Sequence, residues 1–361
     1  MTDILDLPFD VTPDPDEFIK AAMEWHFNPE TGSPFWLRKA ETLDFDPRAD
    51  VKSHHDLWLF PNVTNELRDV PARDLLPRAY GIGDVLGVFE SGGTTGAPKR
   101  VLCTKDWMAK LLDWSCANLD LFGFPQDADW LGVLPTGPHI VGELFRRSAA
   151  ARGGLGFTID LDPRWVKKVI AQGRQREADA YAEHLIDQLE FVLRTQPIGV
   201  LTITPPLLER LARRPELVDL VNDKVKAIRW GGTQLDQDTR DVYKNDIFPD
   251  VTLYGHYGST MILGIAGERA GLTDDDPCVF DTFSPYVTFA VIDPKARRPV
   301  PYGERGQVVM NHVSKALFLP NNLERDLATR IEPLPGKVGD AVAGIAPVTR
   351  FEEEEVIEGV Y

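Results

Sequence analysis

The sequence predicts an α/β fold in which helices and strands form alternating layers. Short apolar segments with strand character alternate with amphipathic helical segments through the middle of the 361-residue chain. This alternation is typical of a sheet covered by helices on both faces. Two later segments, 286–292 and 307–313, alternate apolar and polar residues as antiparallel strands do. They predict a small β subdomain beside the layered core.

The elements are assigned in chain order. Residues 1–80 are expected to form a helical lead-in packed on the main domain, with a helix cap at 12–14. Residues 81–340 are expected to form the core, and residues 341–361 an acidic C-terminal tail. Strands are expected at 84–89, 100–103, 130–134, 199–204, 225–230 and 252–254. Helices are expected at 107–118 and 181–194.

The composition indicates which kinds of binding partner and which cellular compartment are expected. The formal net charge is −17, which disfavours nucleic acid and anionic membranes as partners. No apolar run approaches the ~20 residues of a membrane span, and the first residues do not follow a signal-peptide pattern. Cys103, Cys116 and Cys278 are widely spaced, which argues against a disulfide scaffold or a structural zinc site. A cytoplasmic location is expected.

The most informative feature is a glycine-rich segment between the first two expected strands. It consists of Ser91, Gly92, Gly93, Thr94, Thr95, Gly96, Ala97, Pro98 and Lys99. Glycines allow positive φ and bring backbone N–H groups close to an anion. The hydroxyl groups add donors, and Lys99 adds a mobile positive charge that suits phosphate. The spacing is not that of a Walker A loop, and the simpler interpretation is a polar surface turn.

This segment resembles the phosphate loop of the adenylate-forming superfamily, which comprises acyl-CoA synthetases, peptide-synthetase adenylation domains and luciferases. The resemblance implies the layered αβαβα large N-terminal domain of that superfamily and a site for ATP or AMP. In the superfamily the loop holds the β- and γ-phosphates while a carboxylate attacks the α-phosphate. It follows from the resemblance that residues 91–96 bind the nucleotide and that Lys99 is catalytic.

A second segment, around Gly231, Gly232 and Thr233, resembles the adenine-binding segment of phenylacetate-CoA-ligase-like members of the superfamily. The resemblance implies that the glycine backbone lies flat against the purine and that the residues after it meet the purine edge. Paired glycines after a strand are also common in ordinary turns. The position of the segment between the other motifs therefore supports the assignment.

A third segment is similar to the superfamily pattern Tyr-Gly-x-Thr-Glu. Tyr257, Gly258, Ser259 and Thr260 match it, and Met261 replaces the glutamate. The resemblance implies that Tyr257 stacks on adenine and that Thr260 contacts the α-phosphate as a catalytic residue. The superfamily glutamate ligates Mg²⁺, which a methionine does not bind. The Mg²⁺ requirement is left open, and no metal ligand is assigned.

Three further side chains complete the expected site. Asp326 aligns with the superfamily aspartate that holds both ribose hydroxyls, although Arg325 stands where the superfamily has glycine. Asp236 is considered as a substitute metal ligand. His139 falls where many members place a residue that lines the acyl pocket, and the alternative is a hydrogen-bonded structural histidine.

The mobile C-terminal domain of the superfamily is expected to be missing. Residues 336–340 loosely resemble the hinge that precedes it, and the residues after 340 are fewer than the ~40 that usually fold alone. The shortened form resembles the adenylation-like protein of griseoluteate-type phenazine antibiotic biosynthesis. This resemblance implies an aromatic carboxylic acid, such as a phenazine carboxylate, as substrate. It also implies a downstream reductase or acyl-acceptor protein as partner.

The leading hypothesis is an AMP-forming, ligase-like enzyme that activates an aromatic acid as an aryl-adenylate in secondary metabolism. One alternative is nitrite- and ATP-dependent diazotisation of an aryl amine, or processing of the diazo product, on the same fold. Another is a non-catalytic module that binds nucleotide and aromatic acid. A G-x-S-x-G elbow is absent from the sequence, which weighs against a hydrolase. The face exposed by the missing domain is a candidate homodimer contact.

Overall fold

A computed structural model describes residues 3–91, 97–273, 276–348, 350–351 and 354–355. The α-helices are α1 (Pro15–His26), α2 (Pro34–Ala40), α3 (Pro47–Asp50), α4 (Lys105–Leu121), α5 (Ile140–Ala151), α6 (Pro163–Ala171), α7 (Gln175–Thr195), α8 (Pro205–Ala212), α9 (Pro215–Lys224) and α10 (Gln237–Val242). Short 3₁₀ helices occupy Ile4–Asp6, His54–Leu59, Glu66–Arg68, Ala72–Leu75 and Ile82–Asp84, and a π-helical turn occupies Tyr243–Ile247.

The strands follow from Val85 onward. They are β1 (Val85–Glu90), β2 (Arg100–Thr104), β3 (Asp129–Leu134), β4 (Gly156–Asp160), β5 (Ile198–Ile203), β6 (Ala227–Gly231), β7 (Thr252–Ser259), β8 (Gly264–Glu268), β9 (Val279–Thr282), β10 (Val287–Asp293), β11 (Arg298–Pro299), β12 (Arg305–Val313), β13 (Phe318–Ile331), β14 (Ala341–Pro347), β15 (Arg350–Phe351) and β16 (Glu354–Glu355).

Among the described residues, twelve strands form one mixed sheet in the order β11-β10-β12-β13-β14-β9-β8-β7-β6-β5-β3-β4. The pairs between β4 and β7 are parallel, and the pairs from β7 to β11 are antiparallel. Strands β1 and β2 form a separate antiparallel hairpin. The predicted α/β fold is confirmed. The antiparallel strands continue the parallel half of the sheet.

The apolar sequence patterns explain where the layers lie. Helices α7 and α8 pack their apolar residues, among them Leu185, Leu189 and Leu208, against Ile228 on one face of the parallel strands. The other face of β3, β5 and β7 meets α4 and α5 through residues such as Trp130 and Phe145. Burial on both faces is typical of parallel strands.

The lead-in is fixed to the antiparallel half of the sheet through an aromatic cluster. Trp36 and Phe60 make edge contacts with Phe318 at the start of β13, with ring centroids 4.9 and 5.0 Å apart. The Trp36 indole N–H also donates a hydrogen bond to the Phe318 carbonyl at 2.7 Å. The lead-in therefore supports the strand that carries Asp326. Within the described ranges, none of the helices is long and apolar enough to cross a bilayer.

Two segments differ from the sequence-based assignment. Residues 318–331 form a 14-residue strand that the sequence analysis did not assign. Residues 341–347, placed in the expected tail, form β14 between β13 and β9. The division into lead-in, core and tail stays a prediction, but β14 is part of the main sheet.

Candidate functional site

The parallel strands end at a cavity of about 610 Å³. Leu134, Thr204, Gly231 and Ser259, at or next to the carboxyl ends of β3, β5, β6 and β7, all line it. The carboxyl ends meet because parallel strands run in one direction, and this edge is where α/β sheets usually bind ligands. The volume is in the range of small-molecule sites.

The predicted site residues that the structure describes share this cavity. They are Ser91, Lys99, His139, Gly231, Gly232, Thr233, Tyr257, Gly258, Ser259, Thr260 and Asp326. Gly92, Gly93, Thr94, Thr95 and Gly96 lie outside the described residues. The fold therefore brings together segments that are far apart in the sequence.

The two ends of the glycine-rich segment are joined by hydrogen bonds. The Ser91 N–H donates to the Lys99 carbonyl, and the Lys99 N–H donates to the Ser91 hydroxyl, each at 3.0 Å. Beside them, Glu90 pairs with Arg100 at 3.0 Å and with Arg164 at 2.7 Å. These contacts continue the β1–β2 hairpin and fix Ser91 and Lys99 at the wall of the cavity.

Gly231 is required by close packing against β7. It is opposite His256 in the parallel register, and a Cβ added to Gly231 would lie 2.6 Å from the His256 carbonyl oxygen. The next residue, Gly232, has a φ of +86°, which side chains rarely tolerate. After this turn the Thr233 hydroxyl is buried without a hydrogen-bond partner among the described residues. The turn at the glycine pair thus places the Gly232 backbone and the Thr233 hydroxyl at the cavity wall.

Tyr257 and Asp326 are linked across the cavity wall. The Tyr257 hydroxyl donates a hydrogen bond to Asp326 Oδ2 at 2.9 Å. Burial raises the pKa of Tyr257 well above its ordinary value, and the Asp326 charge raises it further. Burial also raises the pKa of Asp326, although Arg325 and the Tyr257 hydrogen bond act in the opposite direction. The carboxylate is thus partly desolvated, which suits it to accept hydrogen bonds from a ligand.

A second carboxylate, Glu324, was missed by the sequence analysis. It precedes Asp326 by two residues on β13 and lines the same cavity. Its Oε1 accepts a hydrogen bond from the Asn322 amide at 2.7 Å, and Ser259 is a further partner. Burial raises the pKa of Glu324, and the Asp326 charge adds to the effect. Residues two apart on a strand lie on the same face, so Glu324 lies on the Asp326 side of β13.

Asp236, which was considered as a metal ligand, and Met261, which replaces the superfamily's metal-binding glutamate, both have structural roles. Met261 is 5% exposed and belongs to the apolar core. Asp236 caps α10: its Oδ1 accepts from the Thr239 N–H at 2.9 Å, and its Oδ2 accepts from the Thr239 hydroxyl at 2.7 Å. In the part of the chain that the structure describes, no group of three or more His, Cys, Asp or Glu side chains is placed to hold a metal ion.

His139 immediately precedes α5 and lines the cavity. It is 8% exposed, and burial and the nearby Arg164 charge lower its pKa. The imidazole is therefore neutral near pH 7. Leu111, Leu134, Ile140 and Leu144 form an apolar wall of the same cavity.

Two cationic side chains in the cavity were also missed. Lys167 on α6 is buried, and burial followed by the nearby Arg325 charge lowers its pKa to about 7. Arg229 on β6 is fully buried. The sequence signal for Arg229 was a charged residue inside an otherwise apolar strand, which is unusual for a buried parallel strand. Lys167 meets Arg325 only through the tertiary fold, so no local pattern marks it.

The fold is that of the adenylate-forming CoA ligases. One match is 2-hydroxyisobutyryl-CoA ligase in an open conformation in complex with 2-HIB-AMP and CoA. It has a TM-score of 0.63 and 15% sequence identity over 94% of this chain and 76% of that chain. The same ligase in the thioesterification state, with 2-HIB-AMP and CoA, matches with a TM-score of 0.63 and 16% identity over 92% and 67%.

A third structure, that ligase in the postadenylation state with R3-HIB-AMP, matches with a TM-score of 0.60 and 15% identity over 91% of this chain and 66% of that chain. The chain thus spans 66 to 76% of the length of these ligase structures. Identity this low shows the fold alone. No protein-family model matches the sequence, and no curated protein matches it.

Proposed function

We propose that this chain binds ATP in the cavity and activates a carboxylic acid as an acyl-adenylate. The observation that supports the proposal is the joint placement of four segments, each resembling a nucleotide-contact motif, around one cavity. A shared cavity is what a single ligand with phosphates, ribose and base requires. The fold shared with a ligase crystallised with 2-HIB-AMP supports the same reaction class.

The described residues suit each part of the nucleotide. Asp326 is a partly desolvated carboxylate beside Tyr257, and it would accept hydrogen bonds from the ribose hydroxyls. The Tyr257 ring and the backbone at Gly231 and Gly232 would enclose the adenine. Lys99, at the base of the glycine-rich segment, would meet the phosphates.

In the proposed reaction a carboxylate oxygen of the acid attacks the α-phosphorus of ATP. A new P–O bond forms, the bond from the α-phosphorus to the bridging oxygen breaks, and pyrophosphate leaves. Negative charge on the phosphate oxygens is the main barrier that a protein can lower, by fixed positive groups and donors. Lys99, Lys167 and Arg325 line the cavity as positive groups, and Thr260 supplies a hydroxyl.

Among the described residues no group of three or more His, Cys, Asp or Glu side chains is placed to hold Mg²⁺, and the Met261 thioether is a poor ligand for this hard cation. No step is therefore assigned to a metal held by protein ligands alone. Mg²⁺ often binds through the phosphates of its nucleotide with few protein ligands. The proposal treats it as part of the substrate, to be varied in the assay.

The proposed substrate is an aromatic carboxylic acid, with a phenazine carboxylate as one candidate. The apolar wall of Leu111, Leu134, Ile140 and Leu144 supports this choice, since it suits a ring, and neutral His139 lies beside it. The resemblance to griseoluteate-type proteins further suggests transfer of the activated acid to a reductase or acyl-acceptor protein in the cytoplasm.

The test is direct detection of the product. Protein, ATP and a panel of benzoic and phenazine carboxylic acids are incubated with and without Mg²⁺, and aryl-AMP is measured by mass spectrometry. We expect aryl-AMP with at least one acid, and a loss of about 10-fold or more in Lys99→Ala. Lys105→Ala is the matched control, because Lys105 is exposed and bonds to the Gly83 carbonyl.

Two results would overturn the proposal in different ways. ATP binding without aryl-AMP from any acid would indicate a non-catalytic binding module. A folded protein that binds neither ATP nor AMP would refute the nucleotide site itself.

A further inference from the structure

Arg229 is a buried cation that has no carboxylate partner among the described residues. Its side chain is among the largest that are fully buried, with 2% of the residue exposed. Its Nε and Nη2 atoms are buried and have no hydrogen-bond partner among the described residues. The groups that favour its charged form are Tyr254 and Cys116, neither of which is a carboxylate. An arginine stays protonated in proteins, so a positive charge lies here uncompensated.

The surroundings of Arg229 are polar, in contrast to the apolar wall of the same cavity. In the sheet register Arg229 is opposite Thr202 on β5 and Tyr254 on β7. The hydroxyls of Thr202 and Thr204 and the Nδ1 atom of His256 are also buried without partners in the described part of the chain. Thr202, Thr204, Arg229 and His256 all line the cavity. Buried polar groups are normally hydrogen-bonded, so a cluster of buried polar groups without partners indicates a ligand site.

The register gives the depth of this cluster. Arg229 lies two residues before Gly231 on β6, on the same face of the strand. At ~3.3 Å per residue this separation is about 7 Å. Arg229 therefore lies deeper in the cavity than the turn at Gly231 and Gly232, which is proposed to contact the nucleotide. It belongs to the part of the cavity left for the acid.

We infer that the acid carries a second carboxylate and that Arg229 binds it inside the cavity, so the substrate class is dicarboxylic acids. The inference rests on the proposed function. The guanidinium and carboxylate groups are both planar, and they pair through two parallel hydrogen bonds. The hydroxyls of Thr202 and Thr204 supply additional donors. The ligand would provide the counter-ion that the chain does not.

His256 fits this arrangement as a neutral group. Burial and the Arg229 charge lower the pKa of His256 well below its ordinary value, while a hydrogen bond to the Trp230 carbonyl opposes the shift. A neutral imidazole does not add to the charge repulsion around Arg229. Selection for the second carboxylate therefore depends on Arg229.

The test is equilibrium binding of matched acids, measured by calorimetry with saturating AMP and again without nucleotide. The pairs have equal carbon counts: terephthalate with 4-methylbenzoate, and glutarate with valerate. We expect at least one dicarboxylate to bind about 10-fold or more tightly than its match, the range of a charged hydrogen-bonded contact. In Arg229→Met the two acids of each pair should bind with about equal affinity. Arg210→Met is the control, because Arg210 pairs with Asp179 and Glu183 outside the cavity.

Folding of the variant is checked by its melting temperature without ligand. Arg229→Met should melt no lower than the wild type, because it removes a buried charge that lacks a partner. A marked drop would show that the guanidinium is paired structurally and would overturn the inference. A second variant, Arg229→Lys, keeps the charge but loses the fork, and should retain part of the preference.

The inference and the proposed function fail in different ways. Equal binding of both members of each pair by the wild type, or a dicarboxylate preference that survives Arg229→Met, overturns the inference whatever the catalytic result. Tight dicarboxylate binding that Arg229→Met abolishes, without any aryl- or acyl-AMP product, supports the anion site and refutes the adenylation reaction.

Discussion

The hydroxyl of Tyr257 donates a hydrogen bond to the carboxylate of Asp326, 69 residues further along the chain, at 2.9 Å. The bond joins β7 to β13, which are not neighbours in the sheet. It holds the proposed base contact and the proposed ribose contact at a fixed separation without a ligand. Such preorganisation lowers the entropic cost of binding.

The ribose assignment is tested by Asp326→Asn. An amide accepts fewer hydrogen bonds than a carboxylate, and bonds to a charged acceptor contribute about 1.5–3 kcal/mol. We expect AMP affinity, measured by calorimetry, to fall about 10-fold or more. Tyr257→Phe is the matched control, because it removes the hydrogen bond to Asp326 but keeps the ring and the carboxylate. Unchanged AMP affinity in Asp326→Asn would refute the ribose role.

The lowered pKa of Lys167 predicts that nucleotide binding depends on pH. Its pKa of about 7, lowered by burial and then by Arg325, means that its positive charge is present at pH 6 and largely lost at pH 8. ATP affinity should therefore fall with rising pH more in the wild type than in Lys167→Arg, which stays charged. Lys168→Arg, at an exposed neighbouring position, should follow the wild type. Identical profiles for wild type and Lys167→Arg would exclude contact between Lys167 and the phosphates.

Gly231→Ala tests the close approach of β6 and β7. The added Cβ would lie 2.6 Å from both the carbonyl oxygen and the Cε1 atom of His256, so the strands must shift. We expect a loss of about 1–3 kcal/mol in the free energy of unfolding by urea, together with weaker AMP binding. Gly137→Ala is the control, since its Cβ would meet nothing within 4 Å. Wild-type behaviour of Gly231→Ala would contradict the packing described here.

A buried ion pair links α10 to β8. Arg240 pairs with Glu268, both are less than 8% exposed, and Glu268 Oε2 also accepts from the Gly255 N–H at 2.7 Å. Glu268→Gln leaves the Arg240 charge buried without its partner, which should lower the free energy of unfolding by about 3 kcal/mol or more. Glu177→Gln, in an exposed pair with Arg174, should leave the urea midpoint unchanged. Equal midpoints for the two variants would contradict this account.

The layered part of the fold was predictable because its strands are apolar and its helices are amphipathic. The segments expected at 130–134 and 199–204 match β3 and β5 to within a residue or two. Strand β13 was not predicted, because Asn322, Glu324 and Asp326 resemble a polar surface loop. Those side chains face a cavity instead of an apolar core, and Arg325 interrupts the alternation with Leu323 and Leu327.

The site was predictable only where residues follow one another in motifs. Tyr257 and Asp326 were found in this way, each from its own segment, and both line the cavity. Arg229 lies two residues before Gly231 in the sequence, but its lack of a carboxylate partner among the described residues is a property of the packed sheet. Lys167 lies in an unremarkable helix and gains its low pKa from burial and from Arg325, which is far away in sequence.

The most direct test of the central claim is acid-dependent exchange of labelled pyrophosphate into ATP. Exchange requires reversible formation of an adenylate, so it separates catalysis from simple binding. We predict exchange with at least one aromatic acid, and loss of that exchange in Lys99→Ala but not in Lys105→Ala. No exchange with any acid, from a folded protein that binds AMP, would contradict the proposed adenylation.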